Sequence, residues 1–370
     1  MEPPGRPIVR PAVLGLAVLA LVAGAAPAAA APGAAPTRLV CRDRVDEARD
    51  LFVRVDGELT HGLYSVPQGR PRGLVVFAHG YGHTPYSWAH HMREASRHGL
   101  IGVAMDYRGL HIFPDSNDDG LPESRGWPAI AGAEDSIAAA RLFDRRCRVP
   151  MVTILGVSMG GNVSGLAVAM AGEEGITRRD GSPLWDYWVD VEGAVNLTEI
   201  YLAARLGSAA NETAANARLD IEEETGCPIE ACPGEFVRRT VPARMDHVRA
   251  AGLQGAVIIH GVDDGLVFYD HGRQMASLLA LSGIPTDMVT VGLKDEDSER
   301  ETTLTGHAAG NVDPAYRSPL AGHASEKSTT HIVMETALQR LWELVDGLEP
   351  GPYRECTANG MVPVRVACAP

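Results

Sequence analysis

The stretch TILGVSMGGN, residues 153–162, restricts the fold of this chain more than any other. An apolar run over 151–155 stops at Gly156-Val157-Ser158-Met159-Gly160, and an alanine-rich apolar segment of helical character follows over 163–171. Glycines flanking a serine at such a junction let a buried strand turn directly into a helix, with the serine strained and lifted above the sheet. Gly156 and Gly160 supply the clearance for that elbow, and Ser158 is the candidate nucleophile.

The rest of the chain supplies the sheet that such an elbow needs. Short apolar runs at 74–78, 101–105, 152–155, 191–195, 256–259 and 287–291 read as strands, after an opening antiparallel pair at 51–55 and 62–66. Helical patterns fall between and after them, at 87–97, 129–146, 159–171, 269–282 and 326–345. This alternation predicts an α/β fold with a mostly parallel central sheet and helices on both faces. With 370 residues, 45% of them hydrophobic, the chain is long enough to bury one enlarged core.

In open sheets of this kind reactive groups gather beyond the carboxyl ends of the strands. VVFAHGYG ends the strand at 74–78, and its glycine-rich turn aims a backbone N–H at the site. Tyr81 N–H and Met159 N–H are the expected two donors of an oxyanion hole. AMDYRG ends the next strand, where Asp106 and Arg108 are expected to stabilise the turn. VIIHGVDDGLVF ends the strand at 256–259 and offers two carboxylates, Asp263 and Asp264, one of them to orient and stabilise an imidazole.

HGYG, DYRG, GVSMGG and HGVDDGLV stand in this order, each at a strand end. On these motifs the chain resembles the α/β-hydrolase superfamily from about residue 51 to 345, with similarity to secreted serine esterases and lipases and to the prolyl-oligopeptidase-like branch. The family's acid loop resembles H-G-x-x-D-x-x-V, which maps onto His260, Gly261, Asp264 and Val267 and favours Asp264 over Asp263. The family's chain order of serine, acid, histidine then requires a histidine after 264, which leaves His271, His307, His323 and His331. His271 precedes the last strand. His331 sits inside the closing helical pattern, as a half-buried structural imidazole. His307 in LTGHAAG and His323 in LAGHASEKST both follow the last strand; family placement just before the closing helix favours His323, with His307 as the alternative. Relatives often insert a cap between the strands that here bound residues 197–250, where it sets access and substrate size.

The resemblance implies an α/β-hydrolase domain over 51–348 that cleaves carboxylic esters, small or polymeric, through a Ser-His-Asp triad and an acyl-enzyme. A prolyl-oligopeptidase-like peptidase uses the same triad but brings a propeller-sized N-terminal segment not found here. A non-catalytic binding protein on the same fold is the reading from another class. No P-loop or G-x-G-x-x-G occurs, so no nucleotide cofactor is expected. The formal charge of −14 gives no basic field to attract nucleic acid.

Arg6 and Arg10 precede the apolar run 12–26 and an Ala/Pro-rich stretch to residue 36, the order of a secretory signal over about 1–31, followed by an extension over 32–50. No later run is long enough to span a membrane, so no stable membrane insertion is expected. All six cysteines follow the signal, as suits an oxidising compartment. Of fifteen possible pairings, local spacing favours Cys227 with Cys232 and Cys356 with Cys368, the latter closing a tail over 349–370, which leaves Cys41 with Cys147. Asp115, Asn117 and Asp119 alternate before Gly120 like half a calcium loop, yet Gly126 stands where the bidentate acid belongs, so no metal is expected. His83, His90 and His91 lack a convincing fourth zinc ligand, and His90 and His91 are expected on the exposed side of one helix.

Overall fold

A computed structural model of the chain describes residues 35–43, 48–115, 120–262, 264–291, 323–328, 331–358 and 366–369. In chain order it contains β1 (Arg49–Val55), β2 (Glu58–Ser65), β3 (Gly73–Ala78), α1 (Ala89–Arg97), β4 (Leu100–Met105), β5 (His111–Phe113), β6 (Glu123–Arg125), α2 (Ala129–Cys147), β7 (Val152–Val157), α3 (Met159–Glu173) and β8 (Tyr187–Val191). There follow α4 (Leu197–Gly207), α5 (Glu212–Thr225), α6 (Pro233–Arg238), α7 (Met245–Ala250), β9 (Gly255–Gly261), α8 (Tyr269–Leu281), β10 (Thr286–Val291), α9 (Ile332–Val345), β11 (Arg354–Ala358) and β12 (Val366–Cys368).

The apolar runs are continuous because the sheet buries both faces, so successive residues of a strand feed two different cores. Leu74, Val76 and Ala78 pack toward α2, α3 and α8, whereas Val75 and Phe77 pack toward α1 and α9. The sheet has ten strands among the described residues, in the order β1-β2-β4-β3-β7-β8-β9-β10-β11-β12. From β4 to β11 neighbouring strands are parallel; β1 with β2, β2 with β4 and β11 with β12 are antiparallel.

Three local departures from the sequence pattern bear on the site. The strand expected at 191–195 is β8, four residues earlier, because Glu192 takes a φ of 48° that no strand tolerates. Ala194 and Val195 are apolar because they are buried beyond the strand, not within it. The closing helix begins at Ile332 rather than 326, with the His331 side chain accepting the Val333 N–H as its N-cap; His331 is buried and caps the helix instead of lying inside it. The tail beyond 349 joins the sheet, with β11 parallel to β10.

The disulfides join Cys41 to Cys147, Cys227 to Cys232 and Cys356 to Cys368. The last pair are register partners across β11 and β12. Between β8 and β9 the chain leaves the sheet for four helices, α4 to α7. No helix among the described residues is long and apolar enough to cross a membrane. Residues 1–34, which include the expected signal, lie outside the described residues, as do Asn117, Asp119, Asp263 and His307.

Candidate active site

Ser158 stands between β7 and α3 with φ 57° and ψ −122°, a strained conformation for a residue with a side chain. The two glycines of the elbow have no alternative. A Cβ on Gly156 would fall 2.0 Å from Gly160 O, and one on Gly160 would fall 2.1 Å from Ala78 O. The turn is closed by backbone hydrogen bonds: Ser158 N–H donates to Val191 O, and Ser158 O accepts from Gly161 and Ala194.

The turn after β3 lies against this elbow. A Cβ on Gly80 would sit 3.4 Å from Ser158 Cβ. Tyr81 follows it, and Met159 opens α3; neither backbone N–H meets an acceptor among the described residues. The Tyr81 ring packs on Trp127, and its hydroxyl donates to Asp220 of α5. Asp220 also accepts from Gly126 N and from the Arg125 guanidinium, at 3.1 Å from Nε.

Asp264 and His323, separated by 59 residues, meet in the interior, where His323 Nδ1 lies 2.7 Å from Asp264 Oδ2. Asp264 Oδ1 accepts the N–H groups of Leu266 and Val267 at 2.8 and 2.9 Å, which fixes the carboxylate. His260 packs beside it, with Nε2 3.5 Å from the same Oδ2. His323 Nε2 is buried and has no hydrogen-bond partner among the described residues.

Two buried acids that sequence reasoning missed complete this centre. Glu192, directly after β8, accepts from Gly261 N at 2.9 Å and Ala324 N at 2.5 Å, and its Oε2 lies 3.5 Å from His323 Nδ1. Glu326 accepts Gly80 N–H at 2.7 Å and faces His83 Nδ1 at the same distance, while its carbonyl receives the His91 Nε2 hydrogen bond. The short segment 323–328 is thereby tied to three strand ends. Glu192 was findable, since it is an acid at the carboxyl end of an apolar run; Glu326 gave no signal beyond its nearness to His323.

Burial works against a charge on His323, but the carboxylates of Asp264, Glu192 and Glu326 outweigh it and hold the imidazole up at about 9. Asp264 stays below the ordinary carboxylate range: burial opposes its charge, and His323 and His260 more than compensate. Glu192 goes the other way, to about 7, pushed by burial and by the charge of Asp264. Glu326 is held at about 2 despite burial by His83 and the Gly80 N–H.

The remaining candidates fall elsewhere. His271 is buried in α8, its Nε2 3.4 Å from Glu199. Asp106 and Arg108 pair at the strand end, with His61 and with Asp135. His91 is buried rather than exposed, because its ring serves the Glu326 carbonyl; only His90 is half exposed. Asp115 Oδ2 accepts the Gly120 N–H at 2.6 Å.

A cavity of about 190 Å³ opens beside Ser158. Its wall is almost wholly apolar, formed by Tyr81 and Trp127, by Leu266, Val267 and Phe268, and by small residues of α4 and α5. A larger cleft of about 780 Å³ lies between the N-terminal segment and α2, lined by Arg38, Arg141, Arg145 and Arg146 among others, and holds none of the residues above.

The sequence model of the Alpha/beta hydrolase family matches residues 75–343. Among solved structures, a puromycin-hydrolyzing peptidase of Mycobacterium tuberculosis is 15% identical with a TM-score of 0.50, covering 81% of this chain and 40% of that one. An esterase of Pyrobaculum calidifontis is 19% identical with a TM-score of 0.46, covering 81% of this chain and 85% of that one. The chain thus spans about two fifths of the peptidase and most of the esterase. At these identities the likeness concerns the fold. No curated protein matches the chain in sequence.

Proposed function

The chain belongs to the α/β-hydrolase family, and from that premise we propose that it is an exported serine hydrolase that cleaves carboxylic esters. The observation that carries the ester reading is the apolar cavity: Ser158 forms part of its wall, and no charged side chain among the described residues does. A peptidase reading a free amino terminus needs a carboxylate facing the bound residue, because an unpaired ammonium is costly to bury.

In this reading Ser158 Oγ attacks the ester carbon while His323 Nε2 takes its proton, and the imidazolium is stabilised by Asp264. The negative oxygen of the tetrahedral intermediate is held by Tyr81 N–H and Met159 N–H. The carbon–oxygen bond to the alcohol breaks, and His323 returns the proton to the departing oxygen. Water then attacks the acyl-enzyme, giving one proton to His323 and adding its oxygen to the acyl carbon; Ser158 leaves, recovers the proton, and the acid is released. Helices α4 to α7 act as the cap. The basic and apolar N-terminal pattern and the three disulfides support export.

The test is a panel of p-nitrophenyl esters against aminoacyl p-nitroanilides. Turnover of esters without turnover of the anilides supports the proposal; the reverse transfers the protein to the peptidases.

A further inference from the structure

The cavity beside Ser158 narrows where two of its lining helices, α4 and α5, approach each other. Gly207 at the end of α4 meets Ala214 of α5 so closely that a Cβ on the glycine would lie 3.3 Å from the alanine Cβ. The two helices converge there, and Ala203, Ala204 and Ala217 line the space between that contact and Ser158. The wall is not free to swing outward. Asp220, buried in α5, takes hydrogen bonds from the Tyr81 hydroxyl, Gly126 N–H and Arg125, which clamps α5 to the turn that flanks Ser158. The mouth carries Phe268, which is exposed.

Resting on the ester reading above, we propose that this cavity is the acyl site and that it sets the substrate class: esters of uncharged, apolar acids about the size of hexanoic or benzoic acid, not long-chain fatty esters. The volume decides the size, since an apolar cavity of about 150 Å³ accommodates benzene and this one is about 190 Å³. The wall decides the polarity, because an ionised acid or amine bound there finds no opposite charge among the described lining residues. The side of the ester follows from the histidine. The leaving alcohol must face His323 to be protonated, and His323 is not part of the cavity wall, whereas Ser158 and Tyr81 are. The group that enters the cavity is therefore the one left on the acyl carbon.

The experiment measures kcat/KM for p-nitrophenyl acetate, butyrate, hexanoate, benzoate, decanoate and palmitate. Each added methylene up to hexanoate is expected to raise kcat/KM by about threefold to fourfold, the value of burying one such group. Benzoate should fall near hexanoate, and decanoate at least about tenfold below it, as expected when a group exceeds its pocket. Decanoate or palmitate matching hexanoate, or acetate exceeding all others, overturns the proposal. Hexanoate esters of alcohols from ethanol to decanol should show no such ceiling; a ceiling there instead overturns the acyl assignment.

Filling the cavity with Ala217→Phe should lower the hexanoate-to-acetate ratio by about tenfold or more. Ala214→Leu serves if the first variant does not fold, and an unchanged ratio in a folded variant overturns the proposal. Labelling rates with p-nitrophenyl alkylphosphonates of the same lengths report on the cavity even if the natural bond is an amide. A hexyl optimum supports the acyl site while the ester panel alone decides the ester reading; length-independent labelling overturns the site.

Discussion

Ser158 and His323 are positioned by opposite kinds of force. At Ser158 the geometry is steric: glycine at 156 and 160 because a Cβ would strike backbone oxygens, and a turn closed by main-chain hydrogen bonds. At His323 the geometry is electrostatic: Asp264 and Glu192 hold the residue and its neighbour, and Glu326 fastens the segment to Gly80 and His83. A sterically fixed turn keeps its shape at any pH at which the protein is folded. A segment held by buried carboxylates keeps both its shape and its proton affinity only while those groups keep their charges.

The largest effect tests the steric half. Ser158→Ala should lower turnover by about 10⁴ to 10⁶, with circular dichroism unchanged and phosphonate labelling lost. Labelling that persists in the variant removes Ser158 from its role. The electrostatic half comes next: His323→Ala should cost at least about 10³ in kcat in a folded protein, while His307→Ala retains most activity. A dead His307 variant beside a near-normal His323 variant moves the general base to His307.

Gly160→Ala separates the two kinds of force by stability. The added methyl collides with Ala78 O and should destabilise the fold by about 3 kcal/mol, measurable by urea denaturation; a variant of wild-type stability would mean that the elbow relaxes freely. The smallest effect is the most specific. His323 must be neutral to accept a proton, and its raised pKa of about 9 means that kcat/KM should climb with pH toward about 9. The charges facing it are Asp264, Glu192 and Glu326, with His260 beyond Asp264. Removing one negative neighbour lowers its proton affinity, so Glu192→Gln should move the acid limb to lower pH by on the order of one unit. A limb that stays put, or rises, breaks the electrostatic account.

The same contrast explains what the sequence discloses. Steric demands are local, so the elbow was legible in five consecutive residues and the buried strands in their unbroken apolar runs. The mostly parallel sheet followed from strand–helix alternation, except where burial and strand do not coincide: Ala194 and Val195 look like strand and are not, because Glu192 has already turned the chain. Long-range polar pairing leaves no local trace. Asp264 and His323 were set together only through motif order, and their contact is something the structure adds. Glu326 reaches Gly80 across 246 residues, and no periodicity announces that. The helix start at Ile332 was missed for a related reason, since residues 323–328 have helical composition but are spent on tertiary bonds.

The bond between Cys41 and Cys147 spans 106 residues and makes a ring of the first part of the protein. Inside the ring lie β1 to β6, α1, α2 and the turn bearing Tyr81; Ser158, Asp264 and His323 lie outside it. A protease that cuts once within the ring therefore opens a loop without detaching a piece, and the severed strands stay laced to the sheet they share. A single nick is then a scar rather than a loss. Such nicked molecules should migrate as one species on a non-reducing gel and as two after reduction, and the onset of inactivation should follow the reductant rather than the cut.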